Sequence, residues 1–524
     1  MSASITFSKV SWSTPDGRPL LSHLDLNFDA DRTGLVGRNG VGKTTLLKLV
    51  SGELQPQAGT ISIAGSVGVL QQIVQDGSSD TIAGLFGVSD ALAVLRRAEE
   101  GGATADDLAG ADWTLEERIA SALDRFGIAA LPETPLATLS GGQRTRVGLA
   151  TLAFAAPDFI LLDEPTNNLD ADGRAAVIDF LDGWRAGAIV ISHDRELLET
   201  MEAIVELTSL GATRYGGNWS HYRERKAIEL AAARHDLADA EKRAEEVQRR
   251  AQANAERKAH RDRAGRQTRA RGDIPRIQLN TMRNNSESSG GEAVRLAERR
   301  RAQALEDAAA ARQRIEVLQP LSIVVPPTGL PGAKLVLRVE QVSAGYVPGR
   351  PVLSDLSFAI TGPERVAVGG PNGSGKTTLL ELIAGRLLPW TGSVRRMTSF
   401  ALMDQRVSLL EPSLSIRDNF LRLNAGADEN ACRSALARFA FRAEAALQLV
   451  ATLSGGQKLR AALACVLGVA PPLLLILDEP TNHLDIESIE TVEAGLRAYD
   501  GAVVVVSHDP AFLAAVGITR WMSV

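Results

Sequence analysis

Two octapeptides carry the same chemistry at the same spacing. The first is Gly37-Arg38-Asn39-Gly40-Val41-Gly42-Lys43-Thr44, followed by Thr45. The second is Gly370-Pro371-Asn372-Gly373-Ser374-Gly375-Lys376-Thr377, followed by Thr378. Both fit the phosphate-loop pattern, in which two fixed glycines precede a lysine and a hydroxyl residue. Glycines let successive backbone N–H groups curl around phosphate oxygens with no Cβ in the way. Lys43 or Lys376 would reach the β- and γ-phosphates of a nucleotide, and Thr44 or Thr377 would hold Mg²⁺ by its hydroxyl. Residues 45–50 and 378–384 read as helices whose N-termini face the phosphate. A Gly-rich turn by chance is the rival reading of one copy; two copies in matched context argue against it.

The elements around these loops repeat as well. Lys43 precedes Gln72 by the same interval as Lys376 precedes Gln405. Leu139-Ser140-Gly141-Gly142-Gln143 returns as Leu453-Ser454-Gly455-Gly456-Gln457. Two apolar runs end in acidic pairs, Asp163-Glu164 and Asp478-Glu479, each continuing into Pro-Thr-Asn-x-Leu-Asp at Asp170 and Asp485. His193 and His508 follow those pairs at equal distance. This is a tandem duplication. Continuously apolar runs before the acidic pairs and the histidines read as buried parallel strands, whose carboxyl ends carry the active groups of open α/β sheets. The segment between Gln72 and Ser140 is about 19 residues longer than its counterpart, with the extra length expected near residues 91–113.

Each half resembles an ATP-binding-cassette nucleotide-binding domain, with phosphate loop, Gln loop, LSGGQ signature, acidic strand, Asp loop and His loop in order. The resemblance implies lobes facing head to tail with two ATP molecules between them. Site one would join Lys43, Thr44, Gln72, Asp163, Glu164 and His193 to the signature Ser454-Gly455-Gly456-Gln457. Site two would join Lys376, Thr377, Gln405, Asp478, Glu479 and His508 to Ser140-Gly141-Gly142-Gln143. It further implies that Thr44, Gln72 and Asp163, with Thr377, Gln405 and Asp478, serve Mg²⁺. Glu164 and Glu479 would polarise the attacking water, and His193 and His508 would bond the γ-phosphate. The family stacks an aromatic on adenine; Trp12 and Tyr346 are the candidates, with core packing the rival for both. Asn168 stands where the second Asp loop has His483, so the two sites need not be equal.

At 524 residues the chain exceeds a single core. Cys432 and Cys465 have no metal-type or pairing pattern, which fits a reducing compartment. The N-terminus lacks a basic-then-apolar signal, and the apolar runs fall far short of the roughly 18 residues needed to span a bilayer. The expectation is a soluble cytoplasmic protein without a membrane domain. The net charge of −6 conceals a basic middle: residues 223–316 hold 23 Lys/Arg against 16 Asp/Glu, and residues 249–283 hold 11 against 3. Residues 226–267 are rich in Ala, Arg and Glu, which favours a long exposed helix. A Gly/Asn/Ser-rich break follows, then a second helix-like run over 292–318.

Tyr215-Gly216-Gly217-Asn218-Trp219-Ser220-His221-Tyr222 and the Pro-Thr-Asn-His-Leu-Asp run ending at Asp485 resemble ABC-F proteins. The fold expected is therefore α/β: two tandem P-loop ATP-binding-cassette domains (1–221 and 334–524) joined by a long α-helical hairpin linker (222–333). In that family the linker enters the ribosomal exit site and reaches P-site tRNA. The resemblance implies an ATPase using ATP and Mg²⁺ and acting on the ribosome, as a translation factor or an antibiotic-resistance protein, with its two cassettes pairing within one monomer. Arg263, Arg266, Arg269, Arg271, Arg276 and Arg283 at the basic tip are the candidates for rRNA and tRNA phosphates. The alternative is a cytosolic cassette ATPase regulating a transporter or other protein complex; a DNA-acting ATPase is a weaker third.

Overall fold

The computed structural model describes residues 3–70, 81–167, 169–270, 323–482 and 484–524, with helical positions among residues 299–309. In the first lobe, alternating burial builds a three-stranded antiparallel sheet of β1 (Ser4–Ser13), β2 (Pro19–Phe28) and β4 (Ala58–Ala64), in the order β2-β1-β4. The runs buried on both faces make a second sheet: β3 (Arg32–Val36), β5 (Val67–Val69), β6 (Phe159–Asp163), β7 (Gly187–Ile191), β8 (Ala203–Thr208) and β9 (Gly211–Gly216). Its order is β5-β6-β7-β3-β8-β9, parallel except for β9. The helix Lys43–Val50 packs between the two sheets, burying Leu46, Leu47, Leu49 and Val50 with Phe7, Phe28, Leu161 and Ile191.

The second lobe repeats this plan. Strands β10 (Leu335–Ala344), β11 (Leu353–Thr361) and β13 (Thr391–Arg396) form the antiparallel sheet, in the order β11-β10-β13. Strands β12 (Arg365–Gly369), β14 (Phe400–Met403), β15 (Leu474–Asp478), β16 (Ala502–Val506) and β17 (Arg520–Ser523) form an all-parallel sheet ordered β14-β15-β16-β12-β17. The jumps in order place β3 and β12, which feed the phosphate loops, beside β7 and β16, which feed the histidines. That adjacency brings residues far apart in sequence to one edge of each sheet.

The isolated bridges Thr81–Pro135 and Ser415–Leu449 mark equivalent points of the two helical subdomains. Between them the first lobe carries helices Ile82–Leu85, Ser89–Glu99, Ala105–Gly110 and Leu115–Asp124, the second Ile416–Leu423 and Glu429–Arg438. The first lobe's extra length is thus a helical insertion, as its position in the chain predicts. Both lobes belong to one compact unit, Met1–Ser220 with Leu321–Val524; His221–Pro320 forms another. The helix Trp219–Ala270 is 52 residues long, about 78 Å at the usual rise. Arg263, Arg266 and Arg269 lie towards its end, whereas Arg271, Arg276 and Arg283 lie outside the described residues. Among the described residues no helix is long and apolar enough to cross a membrane. Cys432 and Cys465 are free and buried.

Candidate functional site

Each phosphate loop turns on glycines with positive φ. Gly37 has φ 147°, and a Cβ there would lie 2.2 Å from the Leu207 carbonyl oxygen; Gly370, at 148°, would meet the carbonyl of Val524. The lysines that follow start helices and fold back over their own loops. Lys43 Nζ donates to the carbonyls of Gly37 (2.5 Å) and Arg38 (3.2 Å), and Lys376 Nζ to those of Gly370 (2.7 Å) and Pro371 (3.0 Å). Burial lowers the proton affinity of both lysines, opposed by the nearby Glu164 and Glu479 carboxylates.

The threonine and the strand aspartate meet beside each lysine. Thr44 Oγ1 donates to Asp163 Oδ2 at 2.8 Å, and Thr377 bonds Asp478 likewise. Burial raises the pKa of both aspartates, with the threonine bond opposing. A hydroxyl next to a carboxylate is a hard oxygen donor pair, which suits Mg²⁺ completed by phosphate and water. Among the described residues no cluster of three or more His, Cys, Asp or Glu could hold a metal by itself. The donor set therefore fits a cation shared with a nucleotide.

Glu164 and Glu479 stand just past their strands with φ of 49° and 46°, a left-handed backbone uncommon for a residue with a Cβ. Their amides donate to Ile191 and Val506 carbonyls on the adjacent strands, at 2.9 Å each, which fixes this conformation. His193 Nε2 lies 3.1 Å from Glu164 Oε1, and His508 Nε2 lies 3.4 Å from Glu479 Oε1. Burial pushes the Glu164 carboxyl up to about 8 and Glu479 to about 7. It pushes His193 down to about 3, helped by the Lys43 charge, and lowers His508 in the same way. Buried His193 Nδ1 has no hydrogen-bond partner, and His508 Nε2 and Glu479 Oε1 face each other without completing a hydrogen bond, which leaves these polar atoms able to accept a further partner.

The lobes meet at these groups. A cavity of about 240 Å³ is lined by Glu164 and His193 from one lobe and by Glu479, His508, Gln405 and Asn372 from the other. Asp485 Oδ2 accepts from the Asn39 amide at 2.7 Å, placing the second Asp loop on the first phosphate loop. Asp170 faces Lys376 and His508 electrostatically, the reciprocal relation. Gly456 is packed so closely on Ser488 that a Cβ would come within 2.2 Å of its hydroxyl. The second signature thus adjoins the helix Ile486–Ala498, whose start touches the first phosphate loop. Ser140 and Ser454 cap the signature helices: their hydroxyls accept from the Gln143 and Gln457 amides, and the Gln side chains accept from the serine amides in return. The amides of Gly141, Gly142, Gly455 and Gly456 lie in the first turns of those helices.

Gln72, Asn168 and His483 lie outside the described residues. Trp12 and Tyr346 are not equivalent: Trp12 pairs with Leu21 and Ala344 with Leu353, so the counterpart of Tyr346 is Thr14. Trp12 packs on the first lobe's core, while Tyr346 is 64% exposed with its hydroxyl 3.4 Å from Thr378 Oγ1. Sequence reasoning also missed three cross-lobe contacts. Arg38 forms a bidentate pair with Glu487, its Nη2 to Oε1 arm at 2.7 Å. Arg195 Nη1 reaches Glu493 at 2.8 Å, and Arg174 Nη1 donates to the His508 carbonyl at 2.7 Å. Comparing the halves outward from Asp170 and Asp485 would have flagged Arg174, which stands opposite Ile489.

The family model described as ABC transporter matches residues 21–167 and 353–482. The energy-dependent translational throttle protein EttA of Mycobacterium tuberculosis is 31% identical, covering 97% of this chain and 89% of that protein. The tylosin resistance ATP-binding protein TlrC of Streptomyces fradiae is 30% identical, covering 94% of this chain and 92% of that one. Among solved structures, RNase-L Inhibitor superposes with a TM-score of 0.60 over 99% of this chain and 87% of its own, at 17% identity, a likeness of fold. With both lobes matched and these relatives aligned over nearly their whole length, the chain belongs to the ABC-F family of tandem ATP-binding-cassette proteins.

Proposed function

We propose that the chain is a soluble cytoplasmic ATPase that holds two ATP between its cassettes and acts on the ribosome through the segment between them. The observation that carries the catalytic part is the cross-lobe seat of Asp485 on the Asn39 amide, beside a cavity that both Glu-His pairs line. In this reading the loop amides and Lys43 bind the phosphates at site one, the lysine exchanging its loop carbonyls for phosphate oxygens. Thr44 and Asp163 would hold Mg²⁺, which would neutralise charge on the phosphates when bound. Glu164 takes the proton of the attacking water; burial makes its carboxylate the more basic, as that task needs. His193 donates to the γ-phosphate, and the amides after Ser454 complete the site from the other lobe. Lys376, Thr377, Asp478, Glu479 and His508 act likewise at site two with the Ser140 signature. Tyr346 stacks on adenine there; Trp12 is the candidate aromatic at site one.

The ribosomal part is supported by the relatives, one named a translational throttle and another a tylosin resistance protein, and by the basic balance of residues 249–283. Arg263, Arg266, Arg269, Arg271, Arg276 and Arg283 would neutralise RNA phosphates, making the attachment salt-dependent. The test is cell-free translation with the Glu164→Gln/Glu479→Gln variant, which should bind ATP but turn it over slowly. Inhibition that disappears when Arg263, Arg266, Arg269 and Arg271 are neutralised is the expected result. No inhibition at any ATP concentration would point instead to a protein complex served by the lobes.

A further inference from the structure

Arg174 lies in the first turn of the helix Ala171–Asp182, yet is only 7% exposed. Its guanidinium is held on one side by Asp194, next to His193, with Nη2 to Oδ1 at 2.6 Å and Nε to Oδ2, and Glu196 Oε2 lies 3.2 Å away. On the other side Nη1 donates across the lobe interface to the His508 carbonyl at 2.7 Å, and Asp509 adds its charge. The His508 amide in turn faces Glu479 Oε2 at 3.4 Å. One planar, always-charged group therefore grips the carbonyl of the residue whose own amide faces the Glu479 carboxylate. The duplication makes the arrangement one-sided. Ile489 occupies the counterpart position, buried in the second lobe's core, and an isoleucine side chain has nothing to donate to the His193 carbonyl.

We propose that Arg174 is a positioning residue for site two: it holds the His508 loop from the opposite cassette and, through Asp194, ties that loop to the one carrying His193. The proposal rests on the reading of Glu479 and His508 as groups that act on ATP. A loop pinned at its peptide keeps the Nε2 and carboxylate atoms in register with the γ-phosphate, and small misplacements of such groups cost rate more than binding. Because the two histidine loops share one clamp, a nucleotide that moves one of them shifts the other's preferred position, and the coupling is reciprocal for binding.

Steady-state ATP hydrolysis by the full chain tests this, with Arg174→Met placed in two backgrounds. Glu164→Gln leaves turnover to site two, and Glu479→Gln leaves it to site one. The expected result is a roughly ten-fold fall in kcat in the first background, with KM changed less than about two-fold, and little change in the second. Arg174→Lys keeps the charge but not the fork, so it should fall between. The variant Arg174→Met/Asp194→Asn, which leaves no buried carboxylate unpaired, guards against a folding defect and should show the same split. Equal effects in the two backgrounds, silence in both included, would overturn the proposal. If the parent chain hydrolyses ATP and only the split is missing, Arg174 is a brace and the ATPase reading stands; if the parent hydrolyses none, both readings fall.

Discussion

At the first phosphate loop Arg38 reaches over to Glu487; at the second, the same two positions hold Pro371 and Asp172, which cannot form that bridge. Behind the first histidine, Arg195 meets Glu493; behind the second stand Pro510 and Ile178. Site two has instead the Arg174 contact to His508, where site one has Ile489. The groups proposed for phosphate binding and hydrolysis are duplicated almost residue for residue, while these three arginine contacts between the lobes are not. The two sites are therefore alike in chemistry and unlike in mechanics. Burial agrees: the His193 side chain is 9% exposed and His508 22%. A site can keep its reacting groups and change its opening by altering residues that bridge the lobes.

The largest break in this comparison should come from the shared chemistry. Glu164→Gln with Glu479→Gln should lower ATP turnover by about 10²-fold or more, as loss of a general base does, while equilibrium binding still finds two ATP per chain. Turnover within a few-fold of the parent would remove both glutamates from the reaction. Next is the buried bridge. Arg195→Met leaves Glu493, 4% exposed, without its partner and should cost about 3–5 kcal/mol in thermal unfolding. Adding Glu493→Leu, which imitates the apolar counterpart pair, should recover most of that loss.

A smaller effect separates the two aromatics. Tyr346→Ala should weaken nucleotide binding at site two by about 1–3 kcal/mol, the usual worth of a base-stacking aromatic. Trp12→Ala, at a position packed on the core, should lower the melting temperature more than it lowers affinity. The reverse pattern would make Trp12 the base-stacking group. The smallest belongs to Arg38, whose side chain is 53% exposed: Arg38→Ala should cost about 0.2–1 kcal/mol, read as faster nucleotide release from site one only. Equal acceleration at both sites would show that the bridge does not distinguish them.

Much of the site was legible because its chemistry is packed into contiguous motifs. A phosphate loop, a strand ending in Asp163-Glu164 and a capped signature helix are local objects, and local residue types dictate them. The buried parallel strands were legible as continuous apolar runs, whereas the order that gathers them came only with the structure. What stayed hidden depends on the meeting of distant segments. Arg38 and Glu487 are 449 positions apart, Arg195 and Glu493 are 298, and nothing in either neighbourhood announces the partner. The different settings of Trp12 and Tyr346 were hidden for another reason: irregular pairing along β1 and β10 shifts register, and a shift of a residue or two changes what a side chain faces. The shared motif Arg18-Pro19 and Arg350-Pro351 aligns the strands and gives Thr14 as the counterpart of Tyr346. The left-handed backbone at both glutamates has no signature in residue type.

The central claim, that ATP-driven pairing of the cassettes is used on the ribosome, is tested most directly by co-sedimentation. Ribosomes would be pelleted with the Glu164→Gln/Glu479→Gln variant in the presence of ATP and Mg²⁺, of ADP, or of ATP with a chelator. The account predicts that the variant travels with 70S ribosomes in the first condition alone, and that neutralising Arg263, Arg266, Arg269 and Arg271 releases it. A variant that stays in the supernatant with ATP and Mg²⁺, while still binding two nucleotides, would contradict it.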